Sequence, residues 1–170
     1  GSERMRRDIL KRPPMTNRMI LEAARLLRKH HIRVATYNMI GLPTETPAEA
    51  FETIRLNAKL RPTKINEFIF QPYPHTDLFQ DCLAWGLYNG TADLPDNWRK
   101  TSVLEQEQFP EDQVVFLNRY FKILVRLLML AADRSPGTER RICELISGSI
   151  LKRRWLLRSL NRFHATGFGS

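Results

Sequence analysis

Two short stretches hold most of the residue types that could meet a ligand. The first is Asn38-Met39-Ile40-Gly41-Leu42-Pro43-Thr44-Glu45-Thr46, and the second is Phe70-Gln71-Pro72-Tyr73-Pro74-His75-Thr76. Each follows a strand-like run and ends where a helix can begin. A glycine at such a turn lets a ligand approach the backbone closely. Asn38 and Tyr73 read either as polar pocket wall or as turn anchors. His75 reads either as a proton donor at a site mouth or as a side chain that tolerates positive φ. Taken singly, each stretch is accounted for as a tight turn made by Gly and Pro. Cys82 and Cys143 are the only cysteines, far apart in sequence. No disulfide framework is expected, no spacing resembles a zinc site, and both thiols read as ordinary part-buried side chains. A reducing, cytoplasmic setting is the expectation.

The elements that must position these loops alternate along the first half. Thr16 predicts the N-cap of a helix running to about His30, with Ile20, Ala23, Ala24 and Leu27 on one face. Ile32 to Ile40 predicts a strand. Thr46, Pro47 and Glu49 predict a capping box with Pro at the first helical position. Ala50, Phe51, Ile54 and Ala58 give that helix its apolar face, and Pro62 ends it. Lys64 to Gln71 predicts a second strand. Thr76 to Trp85 predicts a short helix closed by Gly86. Strands joined by a helical crossover are normally parallel neighbours. Two of them do not make a sheet covered on both faces, and a whole eightfold barrel needs about 200 residues.

The second half reads differently. Residues 87–112 are polar and loop-like, with an extended piece at Thr101 to Leu104. Asp112 to Ala132 predicts a long helix, apolar through Phe116, Leu117, Tyr120, Phe121, Leu124, Leu128 and Met129. Arg119, Lys122 and Arg126 fall on one face of it and argue against a membrane span. Ser135-Pro136-Gly137 predicts a break, with further helices at 138–147 and 149–163. The end, Thr166-Gly167-Phe168-Gly169, is expected to fray.

Read together, the two loops strongly resemble the radical S-adenosylmethionine superfamily, and most closely its cobalamin-binding branch. The pattern is Asn-Met-Ile-Gly-Leu-Pro-x-Glu-Thr after one strand and Phe-Gln-Pro-Tyr-Pro-x-Thr after the next. The opening Gly1-Ser2-Glu3-Arg4 and a helix through Leu10-Lys11-Arg12 resemble the stretch after that family's fourth strand. On that resemblance Gly1-Ser2 is native rather than a cloning scar. The likeness covers residues 1–86 well and continues weakly through Thr101-Ser102-Val103-Leu104. His75 stands where the family usually has Gly.

The resemblance implies an α/β fold. Residues 1–86 would be the C-terminal portion of a partial (β/α) barrel, with two parallel strands and flanking helices. A linker at 87–112 and an all-helical C-terminal region at 113–170 would follow. It also implies three thiolates of a Cys-x3-Cys-x2-Cys loop holding a four-iron, four-sulfur cluster. That cluster cleaves S-adenosylmethionine to methionine and a deoxyadenosyl radical, the cofactors doing the hard chemistry. This chain lacks the cysteine triad, so cluster and cobalamin are expected only in a parent protein. The chain alone is expected to be inactive. Its share of the cofactor site would be an adenine-side wall made by Asn38, Met39, Ile40 and Gly41 after one strand and by Gln71, Pro72 and Tyr73 after the next. Ser2 and Glu3 would lie near the ribose or amino acid part. The parent would be a cobalamin-dependent methyltransferase or ring-forming enzyme acting on a lipid-like or natural-product substrate. Its missing N-terminal portion would be this chain's first partner.

Charge adds a second reading. The chain carries 27 Lys and Arg against 18 Asp and Glu, a formal charge of +9. Residues 1–33 hold a net +7, residues 34–136 a net −3, and residues 137–170 a net +5. Basic ends are usually solvated helix faces, but they also suit an anionic partner. The alternative function is therefore a non-enzymatic basic module. Its run Lys152-Arg153-Arg154-Trp155-Leu156-Leu157-Arg158 would lie on an anionic membrane surface, leaving the protein cytoplasmic and peripheral to the membrane. Nucleic acid is the less expected partner.

Overall fold

The computed structural model describes residues 1–90, 101–146, 151 and 153–165, apart from the side chains of Pro136, Glu139, Arg154, Trp155 and residues 162–165. Within the expected linker, 91–100 lies outside the described residues. So do 147–150, Lys152 and the expected frayed end from Thr166. The described chain is a mixed α/β structure with two parallel strands and several helices.

The chain opens on a wide helical turn at Met5–Ile9, closed by the Leu10 N–H donating to the Met5 carbonyl at 2.9 Å. Lys11 takes a positive φ of 47°, so the helix expected to continue through Lys11 and Arg12 stops at Leu10. Helix α1 (Asn17–Lys29) follows, and the Thr16 hydroxyl accepts from the Met19 N–H as expected. Its apolar face is less buried than the spacing predicts. Ala24 is covered, Ile20 and Leu21 are partly covered, and Ala23 and Leu27 are exposed.

Strand β1 (Ala35–Ile40) pairs in parallel with β2 (Lys64–Ile69), Ala35 opposite Lys64 and Ile40 opposite Ile69. β1 starts three residues later than predicted and β2 ends two residues earlier. Helix α2 (Pro47–Leu60) joins them with the predicted capping box, and Arg61 closes it in the left-handed region at φ 49°. Helix α3 (Asp77–Ala84) is capped by Thr76 and followed by Gly86 at φ 67°. Thr101 to Leu104 is irregular, not a strand.

Helix α4 (Glu111–Arg134) runs as one piece. Val114, Leu117, Phe121, Leu124 and Leu128 recur at alternating spacings of three and four, which puts them on one stripe. That stripe meets Phe51 and Ile54 of α2 and Ile40 and Ile69 of the sheet in one core. Each fully buried Leu, Ile or Phe contributes about 1.5–3 kcal/mol. The core therefore runs across the expected boundary at residue 113. Arg119, Lys122 and Arg126 share one side of α4 by their spacing but have different surroundings. Arg119 donates to the Asn161 carbonyl, Lys122 pairs with buried Glu67 at 3.1 Å, and Arg126 is exposed.

The predicted break falls at Ser135 alone. Its extended backbone and hydroxyl cap helix α5 (Pro136–Leu145), so Pro136 and Gly137 lie in the first turn. Proline fits there because its missing N–H has no helical partner to lose. The last helix, α6 (Arg154–Ala165), starts later than the predicted 149. Leu151 and Leu157 bury against α4. Among the described residues, no helix is long and apolar enough to cross a membrane.

The two strand faces are treated unequally. Asn38, Ile40, Glu67 and Ile69 are buried on the face under α2 and α4. On the other face Tyr37 is 75% exposed and Met39 44%.

Gly41 ties this layering to the first loop. Its φ is +75°, and a Cβ there would sit 2.8 Å from Cγ1 of Val114 on α4. Gly41→Ala is expected to cost about 2–4 kcal/mol, from left-handed strain plus overpacking. Urea unfolding checks this, and an unchanged midpoint refutes it.

Candidate functional site

The loop after β1 is held from three directions. Within the loop, Glu45 folds back so that its Oε2 accepts from the Gly41 N–H at 2.6 Å and the Leu42 N–H at 3.1 Å. From far along the chain comes buried Gln106. Its Oε1 accepts from the Thr44 N–H at 2.8 Å, and its Nε2 donates to the Leu42 carbonyl at 3.1 Å. At the helix end, Thr46 and Glu49 exchange their capping bonds, while Arg4 grips Glu49 in two-pronged fashion at 2.6 and 2.8 Å. A bidentate guanidinium–carboxylate pair fixes orientation as well as charge. Arg4 also donates to the Thr44 carbonyl at 2.9 Å.

The two carboxyl groups of this loop are pushed in opposite directions. Burial drives Glu45 up from 4.5 to about 8, although its two backbone N–H bonds favour the charged form. The Arg4 hydrogen bond pulls Glu49 down to about 2, against the partial burial that would raise it.

The loop after β2 is simpler. Gln71 is buried, and its Nε2 donates to the Thr101 carbonyl at 3.0 Å. Its Oε1 is buried with no hydrogen-bond partner among the described residues. Thr76 bonds back to the Tyr73 carbonyl at 2.8 Å and caps α3. His75 takes φ 66°, so it occupies the left-handed position that the resemblance gives to Gly.

Between the loops lies a cavity of about 590 Å³, walled by Leu10, Met39, Phe68, Phe70, Tyr73 and Leu78, with Gln71 at its edge. A second cavity of about 390 Å³ shares Leu10 and Met39 and is lined by Ser2, Asn38, Glu45 and Asn57. The first is apolar enough to take a flat ring. The second is the more polar of the two, although Leu10, Met39, Leu42 and Leu56 also line it.

The expected site residues divide accordingly. Met39, Gln71 and Tyr73 meet at the apolar cavity, with Met39 shared by both. Ser2 and Asn38 line the polar one, but their polar atoms are engaged. Ser2 Oγ donates to Glu49 at 3.1 Å. Asn38 donates to the Asn66 carbonyl at 3.1 Å and accepts from Asn57 at 2.6 Å. Four expected residues line neither cavity. The Ile40 side chain is in the core, because strand alternation turns it away from Met39. Gly41 packs on Val114, and Pro72 is buried behind the loop. Glu3 lies in a separate polar depression, where its Oε1 accepts from the Asn17 N–H at 2.7 Å.

Glu45, Phe68 and Gln106 were missed as site residues. Phe68 was findable: period-two alternation puts it across from Met39 on the same face. Glu45 stood inside the quoted motif, but nothing local announces that it turns inward. Gln106 is 62 residues from Thr44, and no pattern links them. No protein-family model matches the chain, and no curated protein matches it.

Stability should follow the Glu45 proton. Its folded value lies above its ordinary one, so the folded form holds the proton more tightly between pH 4.5 and 8. Its contribution is complete below pH 4.5 and lost as pH rises toward 8, at about 1.4 kcal/mol per unit. Glu49 works the other way: its contribution is present above 4.5 and lost as pH falls toward 2. The buried Gly1 amine, lowered to about 5, acts in the opposite sense over the same range. Glu45→Gln keeps an acceptor for the two N–H groups, so its stability should rise relative to the unsubstituted chain's by about 1.4 kcal/mol per unit between pH 5 and 8. Urea midpoints across pH 5 to 8 test this; parallel slopes in both proteins would refute it.

Proposed function

We propose that this chain is part of a radical S-adenosylmethionine enzyme and supplies one wall of the cofactor pocket. The observation that carries the reading is the one-sided sheet. Helices cover the outer face, and the bare face leads to two strand-end loops around an apolar cavity. A segment of a partial (β/α) barrel has this form, because the inner face of such a barrel meets the ligand. On this reading the helices from α4 onward would be the C-terminal helical region, with α4 sharing one core with α2 and the sheet.

The wall suits the adenine end of the cofactor. Met39 and Tyr73 offer apolar and aromatic surface to a flat ring, and Met adapts its shape to such contacts. Gln71 is held at the cavity wall by its bond to the Thr101 carbonyl. When bound, S-adenosylmethionine would supply the radical chemistry, and these residues would hold and desolvate its base. Ser2 and Asn38 would shape the neighbouring polar space while their polar atoms stay tied to Glu49 and Asn57.

The iron–sulfur cluster does not fit this chain. Cys82 is buried and its thiol is pushed up to about 11, chiefly by burial. A cluster ligand must be a thiolate. Among the described residues, no three His, Cys, Asp or Glu side chains converge on one point. On this reading the cluster and the cobalamin site would belong to an N-terminal portion of the parent. That parent would be a methyltransferase or ring-forming enzyme of the cytoplasm, acting on a lipid-like or natural-product substrate. His75 serves the turn in this reading, since its backbone already takes the glycine conformation.

The coding DNA upstream of Gly1 tests the proposal. A Cys-x3-Cys-x2-Cys motif within one barrel's length is expected, and its absence overturns the reading. Iron and sulfide reconstitution of the 170-residue chain should give no cysteine-ligated four-iron absorption; a stable cluster would contradict the assignment.

A further inference from the structure

Helix α1 has three faces. One packs on α2 through Ala24, with Ile20 and Leu21 beside it. The second carries Arg18, Arg25 and Lys29, spaced by seven and four residues and so aligned along the helix. The third is apolar and bare. Met19 and Leu26 lie on it, and Met15 and Ile32 extend it at either end; all four are 52–53% exposed. A helix partly open to water normally turns such residues inward.

The charge around this stripe says what would cover it. From Lys11 to Arg33 the chain holds seven Lys and Arg and one acid, Glu22, which pairs with Arg18 at 3.4 Å. Arg28 is spent on the Leu60 carbonyl, and Lys11 lies 3.7 Å from Asp81. Arg25, Lys29 and Arg33 have no ion pair among the described residues. An exposed apolar stripe bordered by a row of cations is the pattern of a helix lying in a lipid interface. Long basic side chains can keep their heads at the phosphates while the stripe enters the acyl boundary.

We infer that α1 docks the protein on an anionic phospholipid surface, with Met15, Met19, Leu26 and Ile32 inserted and Arg25, Lys29 and Arg33 at the headgroups. This surface is separate from the basic run in α6. It is also independent of the cofactor reading, because α1 contributes only Ile20 to the edge of the polar cavity.

Vesicle co-sedimentation of the full chain tests the inference, with tubes lacking vesicles as the aggregation control. Vesicles of phosphatidylcholine plus phosphatidylserine should pellet the protein, and phosphatidylcholine alone should not. Arg25→Glu with Lys29→Glu, and separately Met19→Ser with Leu26→Ser, should each weaken partitioning by roughly tenfold. Circular dichroism should show both variants folded, since these side chains face solvent. Arg153→Glu at the start of α6 should leave partitioning unchanged. Equal binding to neutral vesicles overturns the inference. So does loss through Arg153→Glu alone, or full binding by both α1 variants. Sedimentation velocity gives the remaining outcome. If Met19→Ser with Leu26→Ser dissolves a dimer and leaves lipid binding intact, the stripe joins two copies and the inference fails. The upstream-DNA test does not involve α1, so either result can fail without the other.

Discussion

Two parallel strands have too little surface to bury themselves, and a parallel sheet is stable when helices cover it. Here one layer meets that need. α2 crosses between the strands, and the long α4 lies over α2 and β2. Ile40 and Ile69, opposite each other in the ladder, are the points where sheet and helices meet. Even the charged residue on that face, Glu67, is accommodated by Lys122 from α4. The covering layer sets which side of each strand is interior. By alternation it also sets which side is free for a ligand.

The same layer governs the first loop. Gly41 leaves no room for a side chain because Val114 of α4 fills the space. Once the backbone turns there, its next N–H groups point at Glu45, and Gln106 closes the loop from outside. A polar loop buried this deeply has to satisfy its own backbone groups. Three side chains do so, Glu45 from within the loop and Arg4 and Gln106 from distant parts of the sequence. The loop is therefore built before any ligand arrives, and preorganisation of this kind lowers the ordering cost of binding.

Much of this was legible in sequence because it is local. Thr46-Pro47-x-Glu49 specifies a helix start within four residues, and the structure has both capping bonds. Thr16 and Thr76 each cap the helix that follows them. Gly86 ends α3 as its place in the sequence implies. The misplacements occur where local signals conflict with packing. Lys11 and Arg12 look helical, but a positive φ at Lys11 ends the turn. Ser135-Pro136-Gly137 looks like a gap, yet Ser135 caps a helix that Pro136 begins. Spacing put Arg119, Lys122 and Arg126 on one face of α4, but it could not show that α6 and β2 supply partners for two of them.

The two strand-end loops were the feature most visible in the residues, and the structure sharpened what each contributes. Sequence by itself determined where β1 ends, which residues cap the helices and that Met39, Gln71 and Tyr73 stand at or just beyond neighbouring strand ends. Those facts depend on contacts a few residues long. Only the tertiary structure decided that Ile40 faces the core, that Glu3 lies apart, and that Glu45 and Gln106 hold the loop. A side chain's direction depends on which face the helices cover, and that is set by contacts between residues dozens of positions apart.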